Sequence, residues 1–392
     1  MVPSPAAMNV LFLSPAFPPN LRHFCERLAA NGVVALGLGD SPGHDVPVSL
    51  AGALREYVFL PSLTDEDAVY RAAAGLISRH GRLDRIESVS EHWLDTAARL
   101  RDDFRVPGPS ADTVARHRRK SGMAGIFEDA SIPSIPGTLA TSIEAVRAFS
   151  ARCGYPIVLK PDTGAGAART FSVADDAALA VAFREDLGGH LAQPFIEGDI
   201  VTYDGLVDAD GRIVYVTSHR YDTGIMQVVS GALDGHYYSL RAIPPELDAV
   251  GRRAVAAFEL RSQLFHLEFF ETPRGYVALE MNLRAPGGFT TDMMNHGSDI
   301  DVYDLWAKVV AGHSLERFTY ERKYHTGHAG RRDGRDYRLS EDEVSRQLGA
   351  TVVQRRRLPR ELATMQGDVM FLLRSPDLAE LRRGIALVQE RA

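Results

Sequence analysis

The sequence predicts a mixed α/β and α+β chain: a doubly wound, Rossmann-like first domain, then a second region built from hairpins and helices. Two observations carry this. Over roughly the first hundred residues, short apolar runs alternate with stretches that are apolar at helical spacing, the pattern of a parallel sheet covered by helices. Farther along, apolar runs are separated by turn-forming residues, the pattern of antiparallel strands.

Taken in order, NVLFLSP (9–15) is an apolar run closed by proline. LRHFCERLAANG then has helical spacing and a glycine stop, and VVALGLGD is a second apolar run, so the three read as β-α-β. EYVFLP, a helix from about 64 to 80, RIESVS and the helix-like HWLDTAARLRDDF extend the domain to the PGPS at 107–110. GDSPG (39–43) matches G-x-S-x-G in letters only, because Pro42 and the polar GHDVPV after it describe a loop, whereas a nucleophile elbow needs a strand-to-helix turn. Gly37, Gly39 and Gly43 miss the dinucleotide spacing and follow the second strand. A helix-like stretch holding Lys120 opens the second region, and its prolines and glycines mark turns around short apolar segments. Beyond about 320 the chain is rich in arginine until GDVMFLLRS and LAELRRGIALV, which read as a strand and a helix completing the fold.

At 392 residues the chain has material for two or three compact units. Hydrophobic residues at 45% and charged residues at 24% are those of a globular protein, and no apolar run reaches the length of a membrane helix. MVPSPAA lacks the features of a signal peptide, and Cys25 and Cys153 have no metal or disulfide spacing, so a reducing cytoplasm is expected. The formal net charge of -7 argues against nucleic acid as a partner. The runs RHRRK (116–120) and QRRRLPR (354–360) are short, and the second is expected to be a solvated face.

Of the 44 basic residues, four are lysines (Lys120, Lys160, Lys308, Lys323) and forty are arginines. In such a chain a lysine stands out where a compact ammonium is needed and a guanidinium is not equivalent. Lys160 ends the apolar run PIVLK, immediately before the small-residue loop DTGAGAAR, whose backbone N–H groups can approach an anion closely. RTFSV after the loop reads as a returning strand, so this is a hairpin over phosphates, not a P-loop. Lys120 is the second candidate; Lys308 and Lys323 read as surface positions.

The stretch LFHLEFFETPRGYVALEMNLRAPGG (264–288) reads as an antiparallel hairpin turning at TPRG. With the turn centred on Arg274, Glu268 and Glu280 lie opposite each other, and Glu280, Asn282 and Arg284 share a face. Opposed carboxylates are destabilising unless something positive lies between them. Two carboxylates and an amide oxygen are hard ligands suited to Mg²⁺, which also takes phosphates and waters. Arg284 beside a metal-bound phosphate suits the charge that develops in phosphoryl transfer.

Together these residues resemble the ATP-grasp superfamily of ATP-dependent carboxylate–amine ligases: Lys120 before IPSIPG, Lys160 before the small-residue loop, AQPFIEGD, and E-x₁₁-E-x-N-x-R at 268–284. The resemblance implies a Rossmann-like domain at 1–110 followed by a two-lobed ATP-grasp domain. Its small lobe with a glycine-rich lid would be 111–190, its large lobe with the metal site 191–320, and a C-terminal extension at 321–392 would complete the fold. It implies that Lys120 and Lys160 contact ATP phosphates and that the loop around Gly164 and Gly166 closes over them. Gln193, Phe195 and Ile196 would form the adenine hinge, and Glu268, Glu280 and Asn282 would hold Mg²⁺ or Mn²⁺. Arg284 would steady the transferring phosphate. Where many members place a glutamate on the ribose, this chain has Ile200 with Asp199 adjacent, so Asp199 is the candidate. The implied activity joins a small carboxylate, activated as an acyl phosphate, to an amine, with ADP and phosphate released. The amino-acid or dipeptide ligases are the nearest in pattern. A biotin carboxylase type and a non-catalytic ATP-binding protein are the alternatives. The expected partners are small molecules, with no nucleic acid and no membrane, and a homodimer is the commonest assembly to expect.

Overall fold

A computed structural model describes residues 8–164, 169–222, 228 and 233–392. The first sheet holds β1 (Asn9–Leu13), β2 (Val34–Gly39), β3 (Leu54–Phe59) and β4 (Arg85–Glu87) in the order β3-β2-β1-β4. All its pairings are parallel, as the β-α-β reading predicts. Alternation along β1 sends Val10 and Phe12 to one face and Leu11 and Leu13 to the other. The second face packs on the helices Glu66–His80 and Leu94–Phe104. The first packs on the helix Arg22–Ala30 and also on Val302–Val310, a helix contributed from far along the chain. Phe12, Phe24 and Trp306 meet there edge-on or stacked, so the first domain shares a core with the rest of the molecule.

A second four-stranded sheet is antiparallel, with β5 (Thr138–Leu139), β6 (Ile157–Pro161), β7 (Phe171–Val173) and β8 (His190–Pro194) in the order β5-β8-β6-β7. The helices Ile143–Cys153 and Asp176–Ala182 cover it around Val146, Phe149, Leu159 and Leu179. β6 and β7 form the hairpin expected around the small-residue loop.

The third and largest sheet runs β14-β13-β9-β11-β12-β15-β17-β16, with β10 also pairing β9. Its strands are β9 (Asp199–Val207), β10 (Ile213–Thr217), β11 (His219–Tyr221), β12 (His236–Ser239), β13 (Gln263–Thr272), β14 (Gly275–Asn282), β15 (His325–Arg331), β16 (Val352–Arg357) and β17 (Val369–Ser375). The odd-numbered residues Val201, Tyr203, Phe265, Leu267 and Phe269 of β9 and β13 bury one face under the helix Pro245–Ala257. The helices Ala111–Arg118 and Lys120–Asp129 join this core through Val114, Met123 and Phe127, although the sequence reading groups them with the small lobe. The arginine-rich tail supplies β16, an edge strand whose Arg355 and Arg357 pair with Asp342 and Asp333 in solvent. Charged side chains on an edge strand discourage pairing with another chain. No described helix is long and apolar enough to cross a membrane.

Candidate active site

The face of the large sheet opposite its apolar core carries a grid of polar side chains on three adjacent strands, buried except around Glu268 and Glu280. Across β9, β13 and β14, Thr202 pairs with Glu268 and Glu268 with Glu280; in the neighbouring row Asp204 pairs with His266 and His266 with Asn282. The opposition of Glu268 and Glu280 is the one expected from sequence, but it arises differently. The turn lies between Pro273 and Arg274, pairing Thr272 with Gly275, and a bulge at Leu279 then restores the register. Without the bulge, Glu280 would have moved to the buried face.

The grid is knit together by hydrogen bonds. The Asn282 amide Nδ2 donates to Glu280 Oε1 at 3.1 Å, and His266 Nε2 lies 2.9 Å from Glu268 Oε1. His266 Nδ1 is 2.6 Å from Asp204 Oδ1, while Asp204 Oδ2 is held by His219 Nδ1 at 2.7 Å and by the Thr202 hydroxyl. Burial opposes charge on His266, but the carboxylates on either side overcome it and push the imidazole up to about 10. Burial likewise opposes charge on Asp204, and the two histidines hold it well below the usual carboxylate range.

The two rare lysines face this grid from neighbouring elements. Lys160, on β6, is half-buried; desolvation draws it down from 10.5 to about 8, against the pull of Glu280 and Glu268 and with the help of Lys120. Lys120 is the first residue of its helix, and its Nζ lies 3.6 Å from Glu280 Oε2 and donates to the Gly164 carbonyl at 2.9 Å. Its placement depends on Asp162, just past β6. The Asp162 carboxylate accepts from Ser121 N and Ser121 Oγ, both at 2.8 Å, and its carbonyl accepts from Lys120 N at 2.8 Å. One aspartate therefore ties both lysine-bearing elements together. Lys308 and Lys323 pair with Asp304 and Asp299 at the surface, as expected.

Gly164 has φ +103°, a conformation that favours glycine, and a Cβ there would meet nothing, so backbone geometry and not crowding selects it. Gly166 lies outside the described residues. At the expected hinge, Gln193 is buried on β8 and donates to Ile135 O at 3.2 Å, while its Oε1 has no partner among the described residues. Phe195 is half exposed, and its N–H is already bonded to Pro156 O at 3.0 Å. The Phe195 N–H is therefore committed within the chain, while its ring is accessible. Asp199 is paired with Arg220 at 3.2 Å, and Arg220 also binds Glu271. Arg220 is thus neutralised by two carboxylates.

Arg284 follows Asn282 out of β14 and points at the first domain. Its Nε and Nη2 donate to Glu91 Oε2 at 3.1 and 3.0 Å. Glu91 also lies 3.8 Å from Arg118, which pairs with Asp95. Arg284 and Glu91 line a pocket of about 200 Å³ with Asn20, Val89, Gly287 and Thr291. Gly287 is open to it, three residues before the helix Thr290–Ser298, whose N-terminal dipole favours an anion. The pairing of Arg284 with Glu91, across 193 residues of sequence, was not visible to sequence reasoning. Neither were Asp162 or the Asp204–His266 contact, although the spacing H-x-E in a strand does put His266 and Glu268 on one face.

The expected metal ligands suit a hard cation by chemistry. Glu268, Glu280 and Asn282 offer two carboxylates and an amide oxygen at adjacent grid positions, and the directly opposed carboxylates call for a positive charge between them. His266 and Lys120 answer part of that charge. Among the described residues no group of three or more His, Cys, Asp or Glu side chains is arranged to hold a metal ion.

No protein-family profile matches the chain. It is 24% identical over 266 residues to the L-arginine-specific L-amino acid ligase of Bacillus subtilis, a region covering 64% of this chain and 63% of that ligase. The chain thus matches less than two thirds of the relative's length. Its structure resembles that of an L-amino acid ligase from Bacillus licheniformis, with a TM-score of 0.75, 17% identity and 96% of each chain covered. It also resembles the biotin carboxylase domain of Hydrogenobacter thermophilus 2-oxoglutarate carboxylase, solved with MgADP, ADP and bicarbonate. There the TM-score is 0.66 at 13% identity, over 94% of this chain and 86% of that one.

Proposed function

We propose that this chain, whose fold is that of the ATP-grasp carboxylate–amine ligases, joins a small carboxylate, with amino acids the leading class, to an amine at the expense of ATP. The observation that carries this reading is the convergence of Lys160, from the small antiparallel sheet, and Lys120, from the start of the helix Lys120–Asp129, on the Glu268–Glu280 pair of the large sheet. Ammonium groups on one wall and hard oxygen ligands on the other suit a triphosphate with its divalent ion.

In this reading Lys120 and Lys160 neutralise the phosphates of ATP, and the backbone beyond β8 takes the adenine. Glu268, Glu280 and Asn282 would hold Mg²⁺, which when bound supplies charge neutralisation at the phosphates. The substrate carboxylate lies by Arg284 and the Gly287–Gly288 backbone, where it attacks the γ-phosphorus. An oxygen–phosphorus bond forms, ADP leaves, and the acyl phosphate is held by Arg284. Attack of the amine on the acyl carbon then expels phosphate and leaves an amide. Glu91, half-buried and ion-paired with Arg284, puts one group of each sign at the pocket, which suits a zwitterion such as an amino acid if it inserts between them. No nucleophilic side chain is required, because positioning and electrostatics do most of the work in phosphoryl transfer.

A screen of paired amino acids and other small acids, read as ADP and phosphate release with Mg-ATP, tests the proposal. Release is expected only when both a carboxylate and an amine are supplied. Tight Mg-ATP binding with no release from any mixture would favour a binding protein, and release that requires bicarbonate and biotin would favour a carboxylase.

A further inference from the structure

The polar grid reaches beyond the groups that ATP and its metal would touch. Asp204 is fully buried on β9, and both its oxygens are engaged: Oδ1 by His266 Nδ1 at 2.6 Å, Oδ2 by His219 Nδ1 at 2.7 Å and by the Thr202 hydroxyl. Burying a carboxylate away from solvent is costly unless it is fully paired, and Asp204 meets that condition with three partners on β9, β11 and β13. It is a fixed point in the sheet. His266 then spans from this fixed point to Glu268, with its second nitrogen 2.9 Å from Glu268 Oε1.

We infer that Asp204 and His266 form a clamp that orients Glu268, so that Oε1 is held by the imidazole and Oε2 is presented to the cation across from Glu280. The inference rests on the reading of Glu268 as a metal ligand. Three features of the geometry support it. A carboxylate can only accept, so an imidazole lying between Asp204 and Glu268 donates to both and cannot swing to another partner. His266 is itself buried, so no water competes for Glu268 Oε1 from that side. The paired rows Asp204–His266–Asn282 and Thr202–Glu268–Glu280 place the clamp directly beside the proposed ligands on the same face. His266 and Asp204 are positioning residues here, since neither need touch the cation or the nucleotide. Such outer partners fix ligand orientation, and losing one typically weakens metal binding by about 10–100-fold.

Mn²⁺ binding to the full-length protein, followed by the electron paramagnetic resonance signal of free Mn²⁺ with ATP present and no carboxylate substrate, tests the clamp without relying on turnover. His266→Leu is expected to weaken Mn²⁺ binding by about 10–100-fold. His266→Gln, whose amide nitrogen can stand where imidazole Nε2 does, should recover most of the loss. His266→Asn, whose amide nitrogen falls nearer Nδ1 and meets Asp204 instead, should not. Melting curves identify any variant that fails to fold. If the leucine variant does, the comparison of Gln with Asn still decides, because both keep a polar group in the same space. Equal Mn²⁺ affinity in the leucine variant, or equal recovery by Gln and Asn, overturns the clamp and leaves the metal site standing. Failure of the unsubstituted protein to bind Mn²⁺ with ATP overturns both.

Discussion

Replacing Glu280 by glutamine is expected to abolish turnover and leave the chain folded. Glu280 lies opposite Glu268 in register, 3.6 Å from Lys120, and carries one of the two carboxylates in the proposed ligand set. The amide keeps the shape of the side chain and can still accept from Asn282 Nδ2, so the local hydrogen bond survives. What is lost is the charge, and with it a hard anionic ligand where negative phosphates must be neutralised. Metal stabilisation of that charge amounts to several kcal/mol, which corresponds to a loss of about 10³-fold or more in kcat. A melting curve close to that of the parent and a collapse in ADP release is the expected pair of results. A fully active Glu280→Gln protein would remove this residue from the site.

The second large effect is expected at Lys160. With its ammonium drawn down to about 8 by burial, Lys160 begins to lose its charge in the nucleotide-free protein just above neutral pH. ATP binding needs the charged form, so the ATP dissociation constant should rise with pH through this range, approaching about tenfold per pH unit above 8. Lys160→Arg replaces the group by one that stays charged, so any affinity it retains should lack this pH dependence. If that variant also keeps full ATP affinity and rate, the scarcity of lysine in the sequence carries no functional information. Lys160→Met removes a charge-assisted phosphate contact, for which a loss of about 10²-fold in ATP affinity is expected. The same change should stabilise the protein. A lysine whose folded value lies below its ordinary 10.5 opposes folding most strongly below about pH 8, and that opposition fades between pH 8 and 10.5. At neutral pH the relief is at most about 3 kcal/mol by the size of the shift, and partial solvent access makes it smaller. Increased melting temperature together with lost nucleotide binding would identify Lys160 as a residue kept for function at a cost in stability.

How much of this was legible in the sequence depended on how local the determining feature was. The alternation of apolar runs with helical spacing fixes the parallel first sheet, because each β-α-β unit is written within a few dozen residues. Glu268 and Glu280 were legible as a pair because one hairpin carries both. The assumed turn centre was off by half a residue, and the bulge at Leu279 compensated for it. Rarity of lysine singled out Lys120 and Lys160, and the fold brings both to the acidic face. The contacts that hold the site in place were not legible. His266 finds Asp204 62 residues earlier, and Arg284 finds Glu91 across two different sheets. Neither contact has a local spacing signature, since the pairing of β13 with β9 and the packing of the first domain against the large sheet are tertiary outcomes. Helix Val302–Val310 belongs to the same class: its apolar face gave no sign that it would complete the core of the first domain.

In the proposed reaction a substrate carboxylate is activated by phosphoryl transfer beside Lys160 and Glu280. Supplying a carboxylate substrate labelled with ¹⁸O in both oxygens, with an amine and Mg-ATP, and reading the released phosphate by mass spectrometry, tests this directly. Attack of the carboxylate on the γ-phosphorus followed by amine attack on the acyl carbon predicts one ¹⁸O in each phosphate and ADP as the nucleotide product. Amide formed with unlabelled phosphate, or with the label in AMP, would contradict it.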